Sequence, residues 1–169
     1  KVTRVQVCDS VVVVKIDFFH DYKLSHEVST MHTYESLVGG ERPMAGPVFQ
    51  TQRSDKILYA MPDGDAGYEI VSRIRLGDGT YSEEESLDDM NTLYDENYPF
   101  LLTDGVTLYL ASNEEYRTLG GYDSFGSRYN IHTYEFSLLK PPPMPFNSPY
   151  DHSIIAVDTA HCVVRFATT

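Results

Sequence analysis

The feature that most constrains this chain is a succession of short strand-like runs that occurs twice in the same order. Residues 48–52 (VFQTQ), 57–61 (ILYAM) and 68–74 (YEIVSRI) are the first three runs, and a fourth starts at Thr80-Tyr81-Ser82. β-Branched and aromatic residues suit a pleated, half-buried surface, and 68–74 alternates as a strand with one buried face does. Arg53-Ser54-Asp55-Lys56, the loop 62–67 and Gly77-Asp78-Gly79 are turn chemistry between them. The order then recurs. Residues 98–102 (YPFLL), 106–112 (VTLYLAS), 122–129 (YDSFGSRY) and 134–136 (YEF) read as four more strands. Thr103-Asp104-Gly105 is the hairpin turn between the first two, with Gly105 supplying a positive φ.

A third copy opens at residues 153–158 and runs through a turn into 162–168. Aligning the second strands sets Tyr59 against Tyr109, 50 residues on, and against Arg165, a further 56 on. Ala111-Ser112 then stands against Ala167-Thr168. Aligning the third strands sets Gly67-Tyr68-Glu69 against Gly121-Tyr122-Asp123, 54 residues later. A four-stranded unit recurring every ~40–50 residues is the mark of β-propeller blades. The expected fold is therefore all-β, with an N-terminal segment (1–46), two blades (47–95 and 96–150) and the start of a third (151–169). A propeller closes with at least ~4 blades, so closure is expected from residues beyond Thr169 or from a partner. The run 162–168, apolar at Val163, Val164 and Phe166, would otherwise offer an open strand edge. A free-standing monomer is not expected.

The N-terminal segment is read as a short α/β stretch. Residues 5–14 (VQVCDSVVVV) form one or two strands, and residues 16–28 (IDFFHDYKLSHEV) form a helix with Phe18, Phe19, Tyr22 and Leu24 on one face. Gly and Pro make residues 34–47 a loop.

Composition narrows the function. With 13 basic against 25 acidic residues the net charge is -12, which opposes binding nucleic acid through its phosphates. The hydrophobic share of 41% is enough for a packed core. No apolar run approaches the ~18 residues of a spanning helix. The sequence opens on Lys1 with no apolar leader core, which reads as a mature product or an excised fragment. Cys8 and Cys162 stand at opposite ends of the sequence, and they are either two buried thiols or one bridge.

Residues 96–112 (ENYPFLLTDGVTLYLAS) resemble a blade of the WD-repeat-like, TolB-type β-propellers of Bacteroidota. Tyr98, Pro99, Phe100, Asp104, Gly105 and Tyr109 carry the likeness, which continues in Gly120, Gly121, Tyr122 and Asp123 and in Asn147, Pro149 and Asp151. The segment before residue 60 resembles the family more loosely, through Asp9-Ser10-Val11 and Tyr22-Lys23-Leu24. Where the family carries a Trp on the fourth strand, this chain has Tyr81 and Tyr134, and Pro141-Pro142-Pro143 replaces a short Leu-Gly step. The resemblance implies a noncatalytic scaffold in the periplasm or at the outer-membrane periphery. Members of that family are often joined to tetratricopeptide or OmpA-like peptidoglycan-binding modules. The implied partners are other envelope proteins in a multi-subunit assembly, near glycan or peptidoglycan.

Each chemical constellation has a plainer architectural explanation. Tyr122 and Asp123 are candidate ligand contacts, but glycines that make a turn and an Asp that accepts backbone N–H bonds explain the same residues. Asp63-Gly64-Asp65-Ala66-Gly67 starts like a calcium loop and lacks its terminal Glu. Glu83-Glu84-Glu85 with Asp88-Asp89 reads as a solvated connection, with an acidic patch for a basic partner as the sharper alternative. His20, His26, His32, His132, His152 and His161 have no zinc spacing. No G-x-S-x-G is present, and turns account for Asp95, Glu96, Asp104, Asp123 and Asp151. Residues 140–145 (KPPPMP) suit an extended polyproline link. No catalytic residue, metal ligand or cofactor is expected. The rival readings are a receptor for a glycan or peptide and, by fold analogy alone, a glycan-active propeller enzyme.

Overall fold

The computed structural model describes residues 7, 9–13, 24–25, 28–40, 42, 44, 46–64, 67–142, 146 and 148–168. Its regular elements are antiparallel strands apart from one short helix among the described residues. Strand β1 (Ser29–His32) and the one-turn helix α1 (Tyr34–Leu37) lead into β2 (Val48–Thr51), β3 (Lys56–Pro62), β4 (Tyr68–Ile74) and β5 (Glu85–Ser86). These strands lie in the order β1-β2-β3-β4-β5. A second sheet is formed by β6 (Glu96–Leu101), β7 (Thr107–Ser112), β8 (Asp123–Asn130) and β9 (Glu135–Phe136), also in sequence order. The hairpin of β10 (His152–Asp158) and β11 (Val163–Thr168) makes a third, two-stranded sheet.

The pleat sorts the apolar residues of β3 onto two faces, because alternate side chains point in opposite directions. Leu58 and Ala60 join Phe49 and Ile70 in a core that also takes Phe100, Leu108, Leu110 and Phe125 from the second sheet. Ile154 and Ala156 of β10 complete it, and the rings of Phe49 and Phe100 meet at 5.0 Å. Ile57 and Tyr59 point the other way, with Val48 and Val71, and are covered by Tyr34. Tyr34 meets the Tyr59 ring edge-on at 5.4 Å. Thr33 caps α1, its hydroxyl accepting from Ser36 N, and Arg42 lies over the Tyr34 ring and pairs with Glu84 at 2.6 Å. The Tyr59 hydroxyl donates to the same Glu84 carboxylate at 2.8 Å, so the segment after α1 is strapped across the outer face of the first sheet.

Strand reading from 48 onward agrees with these elements to within a few residues, save the fourth strand of the first sheet. That strand was expected from Thr80, but Tyr81 forms only an isolated bridge to Arg75 and the ladder proper is Glu85–Ser86. The first sheet also has a fifth strand, β1, beside β2, where the residues gave no alternation to announce it. Within the expected loop 34–47 there is the short helix α1, made possible by its Thr33 cap. Most of the helix expected at 16–28 lies outside the described residues, and its Leu24, Ser25 and Val28 are not helical, while six of the ten residues of the strand expected at 5–14 are described. Val7 and Asp9–Val13 are described and are not in a strand, and Val12 is fully exposed: an apolar run without a neighbouring edge has nothing to pair with. Cys162 is a free, exposed thiol in the β10–β11 turn rather than a buried one, and Cys8 lies outside the described residues.

The hairpin turn at Asp104 has the chemistry expected of it. One Asp104 oxygen accepts from Val106 N at 2.9 Å and Thr107 N at 2.8 Å, and the other from the Thr107 hydroxyl at 2.7 Å. Partial burial would raise the pKa of this carboxyl, but the Thr107 and Val106 bonds outweigh it and hold the group below its ordinary value. Gly105 has φ +71°, and a side chain there would meet open space. Gly105→Val is therefore expected to cost about 1–2 kcal/mol through backbone strain alone. Urea unfolding measures it, and Gly105→Asn, which tolerates this region, should lose clearly less.

Candidate functional site: a polar joint between consecutive sheets

Gly120, Gly121, Tyr122, Asp123 and Asp151 gather at one end of the sheets, where the β4 and β8 entries meet the segments leading into β6 and β10, whereas Asp104 and Gly105 lie in the β6–β7 turn at the other end. Gly67-Tyr68 opens β4, and Gly121-Tyr122 immediately precedes β8. Each pair is met by an aspartate that stands just before the first strand of the next sheet. The Tyr68 N–H donates to Asp95 Oδ1 at 3.0 Å. The Gly121 and Tyr122 N–H groups both donate to Asp151 Oδ1 at 3.1 Å. The approach is close because both glycines lack a side chain. A Cβ on Gly67 would lie 2.0 Å from Asp95 Oδ1, and one on Gly121 would lie 2.3 Å from Asp151 Oδ1. Gly120 likewise sits against the Pro149 carbonyl, 2.8 Å from where its Cβ would be.

Asp95 is the hub. Its Oδ2 accepts from Asn113 Nδ2 at 2.9 Å and from the Tyr122 hydroxyl at 2.8 Å, while its own N–H donates to Asn113 Oδ1 at 2.9 Å. The Tyr122 hydroxyl accepts in turn from Asn97 Nδ2 at 3.1 Å. Burial, and then the bond to the Asp95 carboxylate, push the Tyr122 phenol well above its ordinary pKa. Tyr122 therefore spans both joints, its backbone tied to Asp151 and its hydroxyl to Asp95.

Next to it stand two fully buried polar residues, Glu96 and His152, each the first residue of its strand. Glu96 accepts from Thr92 N and the Thr92 and Ser112 hydroxyls, all at 2.8 Å. Burial raises its pKa against the effect of those bonds. His152 Nε2 lies 2.8 Å from Ser148 Oγ, and the His152 backbone N–H donates to the Tyr122 carbonyl at 2.7 Å. Burial lowers the pKa of the ring, with the Asp123 and Asp151 charges opposing it.

Ser148, His152 and buried Asp123 are the residue types of a nucleophile, a base and an orienting acid. The geometry does not assemble that relay. Among the described residues Asp123 Oδ1 and His152 Nδ1 have no hydrogen-bond partner, so the carboxylate does not fix the ring. Thr92–Glu96 and Ser148–His152 also share a spacing of four residues, and Glu96 pairs across the ladder with Ser112 as His152 does with Thr168. A hydroxyl bonded to the first residue of the strand is thus a feature of both sheets, which a catalytic role does not require.

The remaining sequence candidates fall into structural places. Asp123 is fully buried and its other oxygen accepts from Leu119 N. Tyr98 has φ +54°, sits at the register shift of β6 and lays its ring against Gly46, while Pro99 and Phe100 are buried beside it. Tyr59 lies on β3, the third strand of the first sheet because β1 is added beside β2, opposite Val71, whereas Tyr109 lies on β7, the second strand of its sheet, opposite Gly126. Asn147 lies outside the described residues, as do Asp65 and Ala66 of the suspected calcium loop. Asp63 N closes that loop onto the Gly67 carbonyl at 2.9 Å. Among the described residues no group of three or more His, Cys, Asp or Glu is placed to hold a metal ion. In the acidic run, Glu84 is tied to Arg42 and Tyr59, and Asp89 accepts from Phe136 N at 2.9 Å. No helix among the described residues is long and apolar enough to cross a membrane.

Asn97, Asn113 and the pairing of Gly67 with Asp95 were not singled out from the sequence. The legible sign was that each Gly-Tyr is followed, 28 or 30 residues later, by an Asp.

No family model matches the chain, and no curated protein or solved structure matches it.

Proposed function

We propose that this chain is a noncatalytic scaffold or protein-binding module built from β-propeller-like blades. The observation that carries the proposal is the recurring Gly-Tyr to Asp joint, which ties the first sheet to the second and the second to the third. The polar residues with the most distinctive chemistry are consumed in holding one sheet to the next, and stacked units held this way offer surface rather than a reaction centre. The common order of four strands in the second sheet and in β2 to β5 of the first supports the blade reading. A place in the periplasm or at the outer membrane, among the proteins of an envelope assembly, rests on the family resemblance described above.

Two experiments test this. Cross-linking in intact cells followed by purification should recover the protein with fixed neighbours at constant stoichiometry. A protein recovered alone from every fraction would sink the scaffold reading. Peptide and glycan substrates should show no turnover, and a turnover abolished by Asp123→Asn would instead establish an enzyme.

A further inference from the structure

At the opposite end of the sheets from the Asp joints, a cleft of about 560 Å³ opens between the turn β2–β3 of the first sheet and the turn β6–β7 of the second. Three cationic side chains line it: Arg53, Lys56 and Arg75. The topology brings them to one corner. Arg53 lies in the β2–β3 turn, Lys56 starts β3 opposite Ile74, and Arg75 follows Ile74 with its N–H bonded to the Asp55 carbonyl at 2.8 Å. None of the three side chains forms an ion pair or hydrogen bond with the described residues, whereas Arg42 and Arg117 are paired with Glu84 and Glu114. For a chain of net charge -12 such a set of unpaired cations in one concavity stands apart from the acidic surface.

Two carboxylates, Asp55 and Asp104, share the cleft, so its three cations leave a formal net charge of +1. Asp104 directs both oxygens into its own turn, to Val106 and Thr107. Asp55 accepts the Thr51 hydroxyl at 2.6 Å. Val28, Ile74, Leu101 and Leu102 add apolar lining. Cationic groups in a partly apolar concavity of this size suit a small molecule with an anionic head and a less polar body.

We propose that this cleft is a binding site for the carboxylate or phosphate group of a small molecule, with Arg53, Lys56 and Arg75 supplying the recognition. The site is separate from the joints that carry the scaffold reading and does not depend on it.

The test is titration of the 169-residue protein, followed by amide NMR, with inorganic phosphate, glucuronate and uncharged glucose. Saturable shifts confined to the Lys56, Arg75 and Gly105 amides are expected with an anion, weakening as salt is added. Tighter saturation by phosphate assigns a phosphate ligand, and tighter saturation by glucuronate a sugar acid. The double variant Arg53→Gln/Arg75→Gln should weaken the anion by about tenfold or more. Both side chains are on exposed residues, so its thermal unfolding should match that of the parent. Equal binding of glucose, no saturation by either anion, or unchanged binding by the folded double variant would overturn the proposal.

Discussion

Asp95→Ala is expected to destabilise the chain by about 3 kcal/mol, one of the largest effects of any single polar substitution here. The carboxylate accepts the Tyr68 N–H, the Tyr122 hydroxyl and Asn113 Nδ2. A net value of about 1 kcal/mol for each bond, with donors left half-buried and unpaired, sets the scale. Partial exposure keeps it from rising further. Urea denaturation gives the number, and a cycle with Tyr122→Phe isolates the bond between the two side chains. Coupling of about 1 kcal/mol is expected. Additive effects of the two substitutions would mean that Tyr122 does not depend on Asp95, and the joint would lose its central link.

Gly67→Ala is expected to cost as much or more, about 3–4 kcal/mol, from two sources. Its φ of +110° is one that side chains rarely adopt, and its Cβ would lie 2.0 Å from Asp95 Oδ1. The carboxylate is held by three donors, so it cannot move aside without losing them. The double variant Gly67→Ala/Asp95→Ala makes the distinction sharp. With the carboxylate gone the methyl has room, and only the backbone strain of about 1–2 kcal/mol should remain on top of the Asp95 loss. A double variant that loses the full sum would show that contact with Asp95 is not what makes Gly67 necessary.

Both effects involve residues whose importance was only half visible in one dimension. Tyr122 and Asp123 stood out as a turn with ligand potential, and Asp95 as one carboxylate among several that turns explained. What was legible was local. The alternation of 68–74, the β-branched run at 106–112 and the Asp104-Gly105 turn depend on neighbours one to four residues apart, and the structure has strands and a positive φ where they indicate. What was missed involves other distances or weaker patterns. Strand β1 is defined by its pairing with β2, α1 by a Thr33 cap too short to leave a periodic pattern, and the exposure of Cys162 by a turn at the hairpin tip.

The sequence by itself determined the all-β character, the order and approximate limits of the strands from 48 to 168 apart from the fourth of the first sheet, and the turn residues between them. These follow from side-chain period and backbone preference, which act within a few residues. Only the tertiary structure decided which aspartate meets which glycine, which face of β3 is covered by Tyr34 and which by Phe100, and that Arg53, Lys56 and Arg75 share a cleft. Those pairings join residues up to tens of positions apart. They exist because the sheets pack in one particular way, and burial against a distant neighbour, unlike local propensity, leaves no period in the chain that forms it.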